Sequence, residues 1–111
     1  MPATPETTFH YEVTSSEEDG WKTTTITCHG RLVSDTAGQI KELVKPLIIE
    51  GGRIIVDFAD VEHVDSAGLG ALVGLKVSAL NKGMCKLELV NLSPRVLELL
   101  RITKLTELFA R

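Results

Sequence analysis

A near-continuous apolar run, Arg53 to Phe58, is the feature that most constrains how this chain can fold. Such a run is typical of a strand that is buried on both faces, as in a parallel sheet covered by helices. An amphipathic helix is predicted before it, because apolar residues recur there at helical spacing (Ile40, Leu43, Val44, Leu47 and Ile48). A second helix is predicted after it, from Ser66 to about Asn81, with Gly83 as its stop. Strands that alternate with helices indicate an α/β fold with right-handed crossovers.

The remaining segments extend this pattern at both ends. Phe9–Val13 and the threonine-rich stretch Trp21–Gly30 are predicted to form an antiparallel hairpin, joined by a polar turn over Ser15–Gly20. Lys86–Val90 is predicted to be a strand, and Ser93 followed by Pro94 indicates a helix start.

The predicted order is therefore β-β-α-β-α-β-α. We expect one α/β domain over residues 9–111, with a mixed, mostly parallel sheet of four to five strands and an antiparallel N-terminal hairpin. Residues 1–8 are expected to be a flexible segment, because they contain two prolines and no periodicity.

Four local details can be tested against the structure. Ser34 and Asp35 are predicted caps of the first helix, and Pro46 is predicted to kink or break it. Residues 59–65 are predicted to be a loop. The second helix is predicted to have an apolar stripe (Leu69, Leu72, Val73 and Leu80) and a small-residue stripe that lets it lie close to the sheet (Ala67, Ala71, Gly74 and Ser78).

Composition excludes several classes of function. The 111 residues carry a net charge of −3 and a pI of about 5.6, which argues against a nucleic-acid partner. The apolar stretches are too short for membrane insertion, and the N-terminus lacks the pattern of a signal peptide, so a cytoplasmic location is expected. Cys28 and Cys85 are therefore expected to be free, buried thiols.

The segment Asp65-Ser-Ala-Gly-Leu-Gly70 lies where the second helix should begin. Ser66 there is either a helix cap or a hydroxyl offered to a phosphoryl donor. Gly68 and Gly70 favour the second interpretation, because glycine is a poor helix former but allows another backbone to approach closely.

Other site chemistries have weaker support. Asp57, Asp60 and Asp65 could hold Mg²⁺, although turn and cap chemistry explains them better. The spacing Gly68-x-Gly70-x-x-x-Gly74 is a poor match to a dinucleotide site, and His63 near Ser66 lacks a third, orienting group. The three histidines share no metal spacing, so neither a catalytic cluster nor a metal or cofactor is expected.

From Gly30 onward the chain resembles the STAS domain of bacterial anti-sigma factor antagonists. The resemblance rests on segments spread over about four-fifths of the chain: Gly30–Leu32, Ile54–Phe58, Val61–Gly70, Lys86–Val90, Ser93–Pro94 and Leu99–Phe109. It implies a non-enzymatic switch in which Ser66 is phosphorylated by an anti-sigma factor that is also a serine kinase, and a serine phosphatase reverses the reaction. The unphosphorylated form would bind the anti-sigma factor and so release a sigma factor.

The expected partner-binding residues surround this serine: Asp60, Asp65, Ala67, Gly68, Leu69 and Val73. Val33 occupies a place where many members of the family carry an aspartate, and Ser34 or Asp35 are neighbouring substitutes. Ala67 replaces a frequent second serine, which leaves Ser66 as the one hydroxyl of the motif. Two other classes stay open: a scaffold or accessory STAS domain without regulated phosphorylation, found in stress-signalling assemblies or with a lipid-transport ATPase, and a small nucleotide-binding enzyme.

Overall fold

The computed structural model describes residues 9–110 and contains one four-stranded sheet in the order β1-β2-β3-β4. β1 pairs antiparallel with β2, whereas β2–β3 and β3–β4 are parallel. The elements are β1 (Phe9–Glu18), β2 (Trp21–Leu32), α1 (Ala37–Glu50), β3 (Gly52–Val64), α2 (Ser66–Lys82), β4 (Cys85–Val90), α3 (Pro94–Ile102) and α4 (Thr106–Ala110). The predicted fold class is confirmed, and the predicted order β-β-α-β-α-β-α is followed by a further helix, α4, that it did not include. The predicted flexible segment, residues 1–8, lies outside the described residues.

The N-terminal hairpin is longer than its sequence pattern indicates. Asp19 and Gly20 both have positive φ, 54° and 77°, as a two-residue type I′ turn requires. The predicted turn over Ser15–Gly20 is therefore wrong in its first four residues, which continue β1 and pair with β2. Along β2 the predicted alternation is confirmed, since Thr24, Ile26 and Cys28 face the core.

β3 also extends beyond its apolar run, so the predicted loop over residues 59–65 is wrong for residues 59–64 and holds for Asp65 alone. The strand continues to Val64 and pairs with the end of β2, from His29 opposite Asp60 to Leu32 opposite Val64. Two register shifts interrupt this pairing. Because a bulge disturbs the two-residue alternation of side chains, the sequence of this part does not read as a strand.

Helix α1 packs the predicted stripe on the sheet: Ile40, Val44 and Ile48 are buried, and Leu43 and Leu47 pack against them. The predicted caps Ser34 and Asp35 are wrong, because Thr36 is the N-cap residue and makes no side-chain cap bond. The buried Thr36 hydroxyl instead donates to the Arg31 carbonyl at 2.7 Å.

The helix runs through Pro46 to Glu50, so the predicted break does not occur. Pro46 lies on the exposed side of α1, and the core contacts of Val44 and Ile48 on either side hold the helix together. Among residues 9–110, no helix has both the length and the hydrophobicity needed to cross a membrane.

Helix α2 has the predicted length, but a different face is buried. Its inward residues are Gly68, Leu69, Ala71, Leu72, Leu75, Lys76 and Ala79. Leu80 of the predicted apolar stripe is exposed, and Val73 is half-buried. Of the small-residue stripe, Ala71 alone is buried, so small residues line the outer face of α2 more than its contact with the sheet.

The last predicted cap and the two thiols are confirmed. Ser93 Oγ accepts a hydrogen bond from the Val96 N–H at 3.2 Å, with Pro94 as the first residue of α3. Cys28 and Cys85 are free, although Cys85 is only half-buried. Burial raises the pKa of the Cys28 thiol to about 12, so this thiol stays protonated.

Candidate functional site

The site is built at the junction between β3 and α2, where the chain turns from an extended strand into a helix. Asp65 is the N-cap residue, and its Oδ1 accepts a hydrogen bond from the Gly68 N–H at 2.9 Å. Ser66 is therefore the first residue of the helix and not its cap, so the cap alternative for this serine is wrong. The Ser66 side chain is exposed, and no side-chain hydrogen bond within residues 9–109 involves its hydroxyl.

The Asp65 carboxylate joins two separate segments of the chain. Besides the Gly68 N–H, it accepts a hydrogen bond from the Ser34 N–H, which lies 3.2 Å from Oδ2. The Asp65 N–H in turn donates to the Leu32 carbonyl at 3.2 Å. Hydrogen bonds from Gly68, and then from Ser34 and Ala67, lower the pKa of Asp65, because they stabilise its charged form. The loop between β2 and α1 is thereby held beside Ser66.

That loop also contains Val33, which occupies the place of an aspartate in many members of the resembled family. The Val33 N–H donates to Thr36 Oγ1 at 2.9 Å, and Ser34 and Asp35 are exposed. The loop therefore brings the Ser34 backbone against the Asp65 carboxylate, while the Asp35 carboxylate is open to solvent in the same segment.

Gly68 allows the start of α2 to lie directly against the end of β2. A Cβ at this position would lie 2.2 Å from the Leu32 carbonyl oxygen, a distance that no side chain tolerates. Gly70 differs, because a Cβ there would meet nothing within 4 Å. Gly68 therefore allows a close approach of the protein's own backbone, whereas Gly70 lies on the open surface.

The outer face of α2 carries no charge along its first thirteen residues. Its exposed members are small or apolar: Ser66, Ala67, Gly70, Gly74, Val77 and Ser78. The helix contains two lysines, of which Lys76 is buried and Lys82 lies in the last turn. We call this surface the outer α2 face. It is the kind of uncharged surface that can exclude water when a partner protein covers it.

The expected partner-binding residues are not all on this face. Ala67 is exposed, and Asp65 and Val73 are half-buried. Gly68 and Leu69 are buried, so the structure does not place these two expected partner-binding residues on the exposed face of the helix. The period of the helix turns residue 69 inward, because it lies three and seven positions from the buried residues Leu72 and Lys76.

Asp60 lies apart from Ser66. It lies four positions before Val64 in β3, a distance of roughly 13 Å along the strand. Its Oδ2 lies 2.5 Å from Nδ1 of His29, whose Nε2 lies 2.8 Å from Oε1 of Glu12. Hydrogen bonds to Asp60, and then to Glu12, raise the pKa of His29. The His10 ring stacks on His29 with centroids 4.9 Å apart. This cluster ties β1, β2 and β3 together.

The three aspartates considered for Mg²⁺ have separate partners. Asp57 Oδ1 accepts hydrogen bonds from the Ala59 N–H and the Asn91 side-chain amide, each at 2.9 Å. Asp60 pairs with His29, and Asp65 caps α2. Within the described part of the chain, no three His, Cys, Asp or Glu side chains form a group that could hold a metal ion.

Lys76 was missed by the sequence reasoning. Its side chain is 1% exposed, and its Nζ donates to the Leu87 carbonyl at 2.6 Å, which joins α2 to β4. Desolvation lowers the pKa of this ammonium group. A signal was present, since Lys76 follows Leu69 and Leu72 at helical spacing and therefore lies on their buried stripe.

The main cavities of the described residues lie away from Ser66. Two cavities of about 290 Å³ lie near the turn of the β1–β2 hairpin. The one with more lining residues is lined by Trp21, Gly52 and Met84 among others. Neither cavity is lined by Ser66.

Comparison with known proteins gives one consistent result. The family model of the STAS domain matches residues 12–111. The anti-sigma-B factor antagonist of Staphylococcus aureus is 35% identical over 80 residues, which span 71% of this chain and 73% of that protein.

Two solved structures share the fold. The anti-sigma factor antagonist SpoIIAA in its unphosphorylated form superposes with a TM-score of 0.68 at 23% identity, over 88% of this chain and 84% of that one. The phosphorylated form of the Bacillus protein gives a TM-score of 0.66 at 22% identity, over 88% and 86% of the two chains. Because the family model matches residues 12–111, nearly the whole length of this chain, the chain belongs to the STAS domain family.

Proposed function

We propose that this protein is an anti-sigma factor antagonist that binds its partner through the outer α2 face and is switched by phosphorylation of Ser66. The unphosphorylated form sequesters an anti-sigma factor with serine kinase activity, and a sigma factor is released. A serine phosphatase restores the binding form. The protein acts as a binding module of the cytoplasm and carries out no catalysis itself.

The observation that carries the proposal is the exposed Ser66 hydroxyl beside an uncharged helix face. A phosphate there adds about −1.5 to −2 charges. A helix N-terminus normally stabilises an anion through its free N–H groups. Here the Asp65 carboxylate already accepts the Gly68 N–H, so the phosphate becomes a second anion next to the first.

The added charge acts mainly on the complex. Burying a phosphate under a partner without a matching cation requires removing its water, and each 1.4 kcal/mol of that penalty weakens binding tenfold. In the free protein the phosphate stays in solvent and has no such penalty. The switch therefore needs no rearrangement of the fold.

Two relatives support different parts of this assignment. The S. aureus protein is named for antagonism of an anti-sigma factor, and the Bacillus relative of the same fold has been captured in unphosphorylated and phosphorylated forms. We extend both properties to this chain, with Ser66 as the phosphoacceptor. Asp65, Ala67 and Val73 remain proposed contacts, and Gly70 joins them. Gly68 and Leu69 support the site from the buried side of α2, whereas Asp60 pairs with His29 and lies apart from this surface.

The test is phosphorylation by kinase-type anti-sigma factors from the same genome. Each purified candidate is incubated with ATP and the protein, and the product is analysed by mass spectrometry. We expect one phosphate, on Ser66, and none on the Ser66→Ala variant. Transfer to another residue, or no transfer from any candidate, would contradict the proposal and favour a scaffold STAS domain.

A further inference from the structure

Strand β1 forms one edge of the sheet, and within residues 9–110 no other strand lies beyond it. It is ten residues long and pairs with β2 over its whole length without a register shift. It contains neither proline nor lysine. Edge strands are usually short, bulged or protected by such residues, because their free N–H and C=O groups are a template for another strand. The protection of β1 is limited to its carboxylates, Glu12, Glu17 and Glu18.

From Tyr11 onward, the core-facing side of β1 is also uncovered. Tyr11 pairs with Cys28 and Val13 pairs with Ile26, so these two side chains project to the same side of the sheet as the buried residues of β2. Nevertheless Tyr11 is 41% exposed and Val13 is 46% exposed. Phe9, on the same side at the start of β1, is buried, so the covering layer ends between Phe9 and Tyr11 and leaves two largely apolar side chains beside an open strand edge.

The hairpin turn determines which backbone groups face outward. A type I′ turn is closed by a hydrogen bond between its first and fourth residues, here Glu18 and Trp21. Hydrogen-bonded and non-hydrogen-bonded pairs then alternate along the ladder. Tyr11, Val13 and Ser15 therefore direct their N–H and C=O groups away from β2 and towards the free edge.

We propose that two copies of this chain associate through their β1 edges, antiparallel about a two-fold axis at Thr14. The two four-stranded sheets would then form one continuous sheet, with Tyr11 and Val13 of both copies on its core side. Such an interface is isologous, so every contact occurs twice.

The side chains of β1 favour the register centred on Thr14 over the registers centred on neighbouring residues. Centred on Glu12, the pairing puts two Glu12 carboxylates opposite each other, and centred on Ser15 it puts Glu12 opposite Glu18. Like charges that are directly opposite destabilise a strand pair. Centred on Val13, the pairing avoids these clashes but places the Glu17 carboxylate opposite the apolar Phe9.

Centred on Thr14, the pairing places His10 opposite Glu18 and Tyr11 opposite Glu17 of the second copy, and the two threonines meet on the axis. The imidazole–carboxylate, phenol–carboxylate and Thr–Thr pairs can each form a hydrogen bond between the two copies, and all of them favour association. No carboxylate faces another one. The strand is thus complementary to itself, which argues for a second copy over an unrelated extended segment.

The test is sedimentation velocity of the whole chain over a concentration series, with charges placed on the proposed axis. We expect a concentration-dependent monomer–dimer equilibrium for the wild type. Thr14→Glu and Thr14→Lys should each raise the dissociation constant about fivefold or more, because each puts two like charges opposite each other. An equimolar mixture of the two variants should restore or strengthen the dimer.

A second pair of variants tests the backbone edge. Val13→Pro removes an N–H that faces outward and should abolish the dimer, whereas Val13→Ala keeps that N–H and should dimerise weakly. Circular dichroism of each variant checks that the hairpin stays folded. A wild type that remains monomeric at every concentration, including one that binds only a foreign strand, overturns the proposal. So does a dimer that is insensitive to both Thr14 variants, or one that Thr14→Lys alone tightens, since the axis would then lie at Val13.

Discussion

The two faces of α2 contrast in a way that is unusual for a surface helix. The inward face contains a lysine among leucines, and the outward face contains glycine, alanine, serine and valine without a charge before Lys82. An ordinary surface helix has the opposite arrangement, with its charges towards water. We interpret the inner face as the one that fixes the position of the helix, and the outer face, which is small, apolar and uncharged, as the proposed partner surface.

Gly68→Ala tests the inner face of α2 and Gly70→Ala tests the outer face. Of the two, Gly68→Ala has the larger expected effect on stability. A methyl group on residue 68 would lie 2.2 Å from the Leu32 carbonyl oxygen, so α2 would have to move away from β2. We expect the free energy of unfolding to fall by about 3 kcal/mol. Urea denaturation measures it. A loss below about 1 kcal/mol would mean that the helix start is not fixed by this contact.

A charge on the outer face should weaken partner binding without loss of stability. In Gly70→Glu the side chain points into open space, and the helix gains a better helix former. We expect affinity for the anti-sigma factor to fall at least about tenfold. Calorimetric titration measures this, with Gly70→Gln as a control of equal size. Equal affinities for the Glu and Gln variants would show that charge on this face is irrelevant.

Lys76→Met tests the inner face through the pH dependence of stability. The folded-state pKa of Lys76 lies below the ordinary value of 10.5, so the unfolded chain binds this proton more tightly. The penalty of the buried charge is present in full below the folded-state pKa and disappears as the pH rises from there towards 10.5. The wild type should therefore gain stability relative to the Met variant across that alkaline window.

At neutral pH the same substitution should change the free energy of unfolding by only about 1 kcal/mol, because it removes one hydrogen bond but keeps the packed stem. The exposed Lys82, replaced by Met, is the matched control. A difference between wild type and Lys76→Met that does not vary with pH would contradict a buried, charged Lys76.

The smallest expected effect is that of Gly70→Ala on stability. Alanine at an open helical position should raise the free energy of unfolding by up to ~1 kcal/mol. Thermal unfolding of the variant beside the wild type measures the gain. A loss of stability would mean that residue 70 packs against something and does not belong to the outer face.

The fold followed from the sequence more completely than the site did. The apolar run of β3, the stripe of α1 and the Ser93-Pro94 start each depend on short-range periodicity or capping, which a sequence shows directly. The extension of β3 to Val64 depends on pairing with β2 across register shifts, which no local pattern encodes.

At the site, the position of Ser66 was predictable because Asp65, Ser66 and the glycines mark a helix start. The contact of Gly68 with Leu32 and the hydrogen bond from Ser34 to Asp65 could not be predicted, because they join segments more than thirty residues apart. The two carboxylate partners of His29 could not be predicted either, because they come from different strands, 17 and 31 residues away along the chain.

The most direct test of the switch is to measure one partner against two forms of the same chain. The protein phosphorylated at Ser66 and the unphosphorylated protein are titrated into the anti-sigma factor that carries out the phosphorylation, with Ser66→Ala as the uncharged control. We predict that the unphosphorylated protein and Ser66→Ala bind with similar affinity, and that phosphorylation weakens binding by about a hundredfold, or ~2.8 kcal/mol. Equal affinity of the phosphorylated and unphosphorylated forms would contradict the account.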